Sequence, residues 1–215
     1  MINLFVEYFI HSNPIRAKEI DFCLIANLYQ LSALDHIFIV THNKEETKCV
    51  KIFSRQAPVK STIIELDIPR PTYGELFSLI HTYSGDDDVN ILSNSDIVFD
   101  STIRKADCIK EDQIFAITRW DWTNDGLKLF DKPKISQDAW ILRGKPRSCL
   151  FEINFTTGVP ACDNVILGYF FRCEYKVKNP CRDIIIKHVH DSDVHDYQWS
   201  KRVQGQGYFL EESSL

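Results

Sequence analysis

Hydrophobic and polar positions alternate in blocks along the first hundred residues. Residues 2–10, INLFVEYFI, are rich in aromatic and branched side chains and predict a buried strand, closed by Asn13-Pro14. Residues 15–32 follow with Ile20, Leu24, Leu28 and Leu31 at helical spacing. HIFIVT (36–41) predicts a second strand, the polar Lys/Glu-bearing stretch 43–55 a helix, and STIIELD (61–67) a third strand. Pro71 opens a helix, PTYGELFSLIHTY, with Tyr73, Phe77 and Ile80 on one face. After the acidic turn Gly85-Asp86-Asp87-Asp88, which reads as solvated, VNILSNSDIVFD (89–100) is a strand that ends in polar residues. This βαβαβαβ rhythm is that of a doubly wound sheet covered by helices.

The second half is less regular. QIFAITRWD (113–121), AWILRG (139–144) and DIIIKHVH (183–190) predict strands, and CDNVILGYFFRC (162–173) a helix. No composition break and no internal repeat divides the chain. One α/β domain over 1–215 is expected, with a nucleotide-fold front over about 1–100 and a mixed back over about 101–215.

Composition narrows the class. With 44% hydrophobic and 26% charged residues in 215, the chain has enough apolar material for a packed core. A net charge of −5 argues against a nucleic-acid backbone as partner, which calls for clustered lysine and arginine. The seven cysteines are odd in number and none has CxxC spacing, so free thiols of a reducing compartment are expected. The N-terminal run lacks a basic flank and carries Glu7, and no stretch reaches the ~18 apolar residues of a membrane span. The expectation is a cytoplasmic protein, a monomer or one domain of a larger chain, the ending ESSL suiting an excised domain.

Chemistry gathers at strand ends. In an open α/β sheet ligands bind at the carboxyl ends of the strands, which is where Asn94 and Asp96 fall. Hard cations such as Mg²⁺ or Mn²⁺ take a carboxylate or two plus substrate phosphates, so Asp96 suits a metal, although a strand-ending Asx turn is the commoner meaning of Asn-x-Asp. His188 and His190, two apart on a strand, share a face beside Asp191 and Asp193, and imidazole suits Mn²⁺ or Zn²⁺. His195 follows them. Arg119 and Asp121, flanked by Trp120 and Trp122, suit a sugar ring or an ordinary surface pair. Asp138 precedes a strand, and Asp163 and Asn164 open a helix, where an aspartate serves the helix dipole or catalysis. No GxGxxG, Walker A or GxSxG is present, which disfavours dinucleotide oxidoreductases, P-loop NTPases and α/β-hydrolases.

Taken in order, YGELF (73–77), NILSNSDIVFD (90–100), TRWD (118–121), SQDAWI (136–141), GVPACDN (158–164) and NP…IIIKHVHDS (179–192) make the chain resemble small GT-A-fold glycosyltransferases. Within them it is similar to the glycosyltransferase domains of chlorovirus proteins that build capsid glycans. The resemblance implies a mostly parallel twisted sheet flanked by helices, with a smaller mixed acceptor-side region. It also implies Mn²⁺ or Mg²⁺ as cofactor, a nucleotide diphosphate donor such as a UDP-sugar, and a glycan acceptor, with rhamnose or another hexose transferred. The DxD place reads Asn94-Ser95-Asp96, so the first aspartate is replaced. Asp96 with His190 or His188 is the implied metal set; the end of the first strand places Phe9, His11 and Arg16 at the donor, and the DxD place adds Asn94 and Asp96 to it. Arg119, Trp120, Asp121 and Asn164 are implied at the sugar and acceptor, with Asp138, then Asp163, as catalytic base. Two alternatives remain: a sugar-nucleotide nucleotidyltransferase, though HSNPIRAK (11–18) has no glycine-rich loop, and a noncatalytic carbohydrate-binding domain of the same fold.

Overall fold

The computed structural model describes residues 1–123, 125–190 and 199–215. Asp191, Asp193 and His195 therefore lie outside the described residues. A seven-stranded sheet forms the centre. Its strands are β1 (Ile2–Glu7), β2 (His36–Thr41), β3 (Lys60–Glu65), β4 (Val89–Ser93), β6 (Gln113–Ile117), β9 (Ala139–Arg143) and β10 (Lys176–Lys178), in the order β10-β6-β9-β4-β1-β2-β3. All pairs are parallel except those of β9, which runs antiparallel to β4 and β6. A smaller sheet, β5-β11-β7-β8, joins β5 (Ile97–Phe99), β11 (Ile186–His188), β7 (Trp120–Thr123) and β8 (Gly126–Leu129).

The helices follow from the local sequence. Helix α1 (Pro14–Leu28) starts with proline at its first position, where no amide donor is needed, and the Asn13 side chain accepts from the Ile15 and Arg16 amides. Asn43 caps α2 (Lys44–Ser54) in the same way. Thr72 and Glu75 form a reciprocal capping box on α3 (Tyr73–Tyr83). Helix α4 (Cys162–Arg172) has no side-chain cap; Ala161 precedes it at φ 69°, a left-handed conformation costly for a residue with a Cβ.

Alternation along the strands builds a core on each face of the large sheet. Ile2, Leu4 and Val6 pack with Ile20, Leu24 and Leu28 of α1 and with the small sheet. Phe5, Leu92 and Trp140 point the other way and pack with Tyr73, Phe77 and Ile80 of α3 and Ile166 and Phe170 of α4.

Several expectations are revised. The run 89–100 is two strands, β4 and β5, in different sheets, and 113–121 likewise divides into β6 and the start of β7. The helix expected to residue 32 ends at Leu28, leaving Leu31 59% exposed. The strand expected over 183–190 is only Ile186–His188, and β8 and β10 went unforeseen. Asp88 is not a solvated turn residue: it is buried, accepting from the Asn3 side chain at 3.1 Å and the Gly85 amide at 2.8 Å. Cys149 and Cys173 are joined as a disulfide, with Cα atoms 6.0 Å apart, so the cysteines are not all free thiols. Among the described residues no helix is long and apolar enough to cross a membrane.

Candidate functional site

The carboxyl ends of the parallel strands β1 to β4 lie at one end of the large sheet, from which the chain crosses into the small sheet. The chain leaves β4 at Ser93, passes Asn94-Ser95-Asp96 and enters β5. This short crossing between sheets places Asp96 in the seam. The Ser95 hydroxyl donates to the Glu7 carbonyl at 2.8 Å, and the Val189 amide donates to the Asp96 carbonyl at 3.0 Å. Both backbone ties hold the turn against β1 and the end of β11.

Asp96 is buried and sits among cationic groups. Its Oδ2 is paired with an Arg16 guanidinium nitrogen and lies 3.2 Å from His188 Nε2. Its Oδ1 is buried with no hydrogen-bond partner among the described residues. Burial alone would raise this carboxyl, but the charges of His188 and Arg16 outweigh it and hold the group far below the usual carboxylate range. His188 Nδ1 lies 3.1 Å from Asp121 Oδ1, so the ring is held between two carboxylates. Burial disfavours the imidazolium, yet Asp96 and Asp121 win and lift its pKa to about 9. The His190 ring is 5.4 Å from that of His188, and burial together with the Arg16 charge lowers its pKa. One ligand atom each from Asp96, His188 and His190 falls within 4.8 Å of the others. One carboxylate oxygen and two imidazole nitrogens are a donor set that suits a divalent transition ion, and the buried Oδ1, unpartnered among the described residues, fits such a ligand.

A second cluster continues from Asp121. Arg119 Nε donates to Asp121 at 3.0 Å and Nη1 to Asp138 Oδ1 at 3.3 Å, while its guanidinium stacks 4.3 Å over the Phe130 ring. Asp138 also accepts from Asn94 Nδ2 at 3.1 Å, and the Asn94 amide donates to the Asp138 carbonyl at 3.0 Å. An aspartate at 94 would set a second carboxylate against Asp138; the amide turns that contact into a hydrogen bond. Asp163, in the first turn of α4, accepts from the Cys162 thiol at 3.2 Å. Burial, then the neighbouring Asp138 charge, raises the Asp163 carboxyl.

A pocket of about 500 Å³ opens at the ends of β1, β2 and β3, lined by Glu7, Phe9, His42, Glu46, Asp67 and Arg70 among others. Arg70 stacks 5.6 Å from the centre of the Phe9 ring. Glu7 is buried, accepts from the Thr157 hydroxyl at 2.7 Å and lies 3.4 Å from His42 Nε2. The Glu46 carboxylate accepts from the His42 amide at 2.8 Å, closing the pocket wall.

Most of the residues singled out by sequence thus meet. Asp96, His188, His190 and Arg16 form one cluster, and Asn94, Arg119, Asp121, Asp138 and Asp163 the next. Phe9 lines the pocket, whereas His11 stands beside it with its Nδ1 accepting from the Asn13 amide at 2.9 Å. Trp120 alternates to the opposite side of β7 from Arg119 and Asp121, and its indole N–H donates to the Cys181 carbonyl at 2.8 Å. Asn164 faces the C-terminal segment, donating to the Tyr208 carbonyl at 2.9 Å. Glu7, His42 and Arg70 were missed; their only sequence signal is position at the ends of the first three strands.

No protein-family model and no curated protein matches the chain. Solved structures do. The fold is similar to that of a mannosyltransferase, PcManGT from Pyrobaculum calidifontis, in complex with GDP-Man and Mn²⁺, at TM-score 0.60 and 12% identity. That match covers 90% of this chain but only 58% of the mannosyltransferase. It is similar also to the inositol-1-phosphate CTP transferase from T. maritima, at TM-score 0.53 and 9% identity, covering 90% of this chain and 91% of that one. The architecture is therefore GT-A-like, a mostly parallel seven-stranded sheet flanked by helices that is shared with these solved structures.

Proposed function

We propose that this chain is a metal-dependent glycosyltransferase. It moves a hexose, with rhamnose the first to test, from a nucleoside diphosphate to a hydroxyl of a glycan acceptor. The observation that carries the reading is the convergence of Asp96, His188 and His190 at the end of β4, next to the pocket at the ends of β1 to β3. Asp96 and the two histidines would hold the cation, and their mixed oxygen and nitrogen donors suit Mn²⁺ better than Mg²⁺. When bound, that cation supplies Lewis-acid neutralisation of the charge developing on the leaving diphosphate.

The chain's own groups do the rest. Asp121, hydrogen-bonded to His188 Nδ1, orients the ring so that Nε2 faces Asp96. Phe9, stacked with Arg70, and His42 wall the site for the nucleoside. Arg119 and Asp121 present a guanidinium and a carboxylate to sugar hydroxyls. The acceptor oxygen bonds to the anomeric carbon as the bond to the diphosphate breaks, and its proton passes to a carboxylate. Asp138 is the first choice for that role; Asp163, whose raised carboxyl holds a proton more readily, is the second.

UDP-sugars are the donors to try first, and GDP-sugars next, because the mannosyltransferase of like fold holds GDP-Man. The test is a calorimetric titration of UDP and GDP with and without Mn²⁺, repeated on Asp96→Ala. Nucleotide binding should need the metal and vanish in the variant. Metal-independent binding, or an unchanged Asp96→Ala protein, would sink the assignment. Pyrophosphate release from a nucleoside triphosphate and a sugar 1-phosphate would instead identify a nucleotidyltransferase. Binding of glycan without any nucleotide would identify a carbohydrate-binding domain.

A further inference from the structure

We infer that Arg16 is a resident counter-cation for Asp96. It holds the carboxylate until a divalent cation and a nucleoside diphosphate arrive together, then turns to the diphosphate. The inference rests on the reading of this site as a metal and nucleoside diphosphate site. It adds a coupling between the two ligands that the donor set alone does not require.

The placement of Arg16 argues for exchange. It lies in the first turn of α1, and its side chain is only 13% exposed. One guanidinium nitrogen pairs with Asp96 Oδ2, the same oxygen that His188 Nε2 approaches at 3.2 Å. The other donates to Glu19 Oε2 at 2.8 Å and to the Val189 carbonyl at 3.3 Å. Asp96 Oδ2 thus carries two cationic donors while Oδ1 is buried with none among the described residues. A divalent ion on Asp96, His188 and His190 would face that guanidinium at close range. Like charges of this size held about 5 Å apart weaken binding by on the order of tenfold even with bulk-water screening.

An arriving diphosphate removes the conflict. Its oxygens accept the planar guanidinium fork in the paired geometry that arginine uses for phosphates. Asp96 then exchanges an arginine for a metal, and Glu19 and the Val189 carbonyl keep Arg16 beside the site through the change. Metal alone must pay the repulsion, whereas metal with diphosphate does not.

The experiment is Mn²⁺ binding followed by electron paramagnetic resonance on the native chain, Arg16→Met and Arg16→Lys, alone and with UDP or GDP. The native chain should bind Mn²⁺ weakly alone and roughly tenfold or more tightly with nucleotide. Arg16→Met should bind Mn²⁺ alone roughly tenfold more tightly than the native chain and lose most of the enhancement by nucleotide. Arg16→Lys keeps the charge and should stay as weak as the native chain for Mn²⁺ alone. Thermal melts check folding, and Arg16→Gln repeats the measurement if Arg16→Met does not fold. If the neutral variant binds Mn²⁺ alone no better than the native chain, while nucleotide still recruits Mn²⁺ to the latter, the counter-cation idea fails and the metal–diphosphate reading stands. If the native chain takes up no Mn²⁺ with either nucleotide, both fail.

Discussion

Replacing His188 by glutamine removes a titrating ring from between two carboxylates. Burial disfavours the imidazolium, but the Asp96 charge and the hydrogen bonds to Asp121 and Asp96 more than compensate, so its pKa rises from 6.5 to about 9. A histidine raised in this way contributes stability that is complete below pH 6.5 and is lost as the pH climbs through 9. At about 1.4 kcal/mol for each pH unit, the rise from 6.5 to about 9 is worth about 3 kcal/mol. The depressed Asp96 carboxyl reflects the same attraction, so it adds nothing to that figure. The assay is urea unfolding of the native chain and His188→Gln in the presence of a chelator, at intervals from pH 6 to pH 10. The stability advantage of the native chain should shrink by about 3 kcal/mol between pH 6.5 and 9, its slope near 1.4 kcal/mol per pH unit at the steepest. An advantage that stays level across that window, or widens with pH, would refute the placement of His188 between Asp96 and Asp121.

Three further outcomes are expected. Asp138→Asn should leave nucleotide affinity intact while transfer falls roughly 10²–10⁴-fold, read by steady-state kinetics with donor and acceptor; surviving transfer would move the base to Asp163. Because burial and the Asp138 charge raise the Asp163 carboxyl, the native chain loses stability as pH rises above the ordinary carboxylate range. Asp163→Asn should therefore gain on the native chain between pH 4 and pH 8 in chemical denaturation, and a constant difference would contradict the burial of that carboxylate. Gly74→Ala should lower stability by about 3 kcal/mol, since an added Cβ would lie 2.3 Å from the Phe151 carbonyl oxygen and 2.7 Å from that of Ile153. A native-like melting temperature would mean that α3 does not pack so closely on residues 151–153.

The front half was legible because its signals are local. Strands buried on both faces in a parallel sheet read as continuous apolar runs, and Asn13-Pro14 and Pro71 punctuate the chain between them, whereas the caps by Asn13, Asn43 and the Thr72–Glu75 box emerged from the structure. The breaks inside 89–100 and 113–121 were not legible, because an apolar run looks the same whether its two ends pair in one sheet or in two. Polar residues at the end of β4 and beside β11 marked Asp96, His188 and His190 as candidates. Nothing in the spacing showed that Trp120 turns its indole to the Cys181 carbonyl, or that Asn164 serves the C-terminal segment.

By itself, then, the amino-acid sequence determined the alternating order of strands and helices from β1 to α3 and the polar residues left at strand ends. The tertiary structure alone decided which of those residues touch. Arg16 and Asp96 are 80 positions apart and His188 and Asp96 are 92, so strand order and the crossing from the large sheet to the small one set their meeting. The physical reason is one of range. Periodicity and capping report burial and hydrogen bonding within a few residues. The charge that raises His188 and lowers Asp96 arises between segments that only the packed sheets bring together.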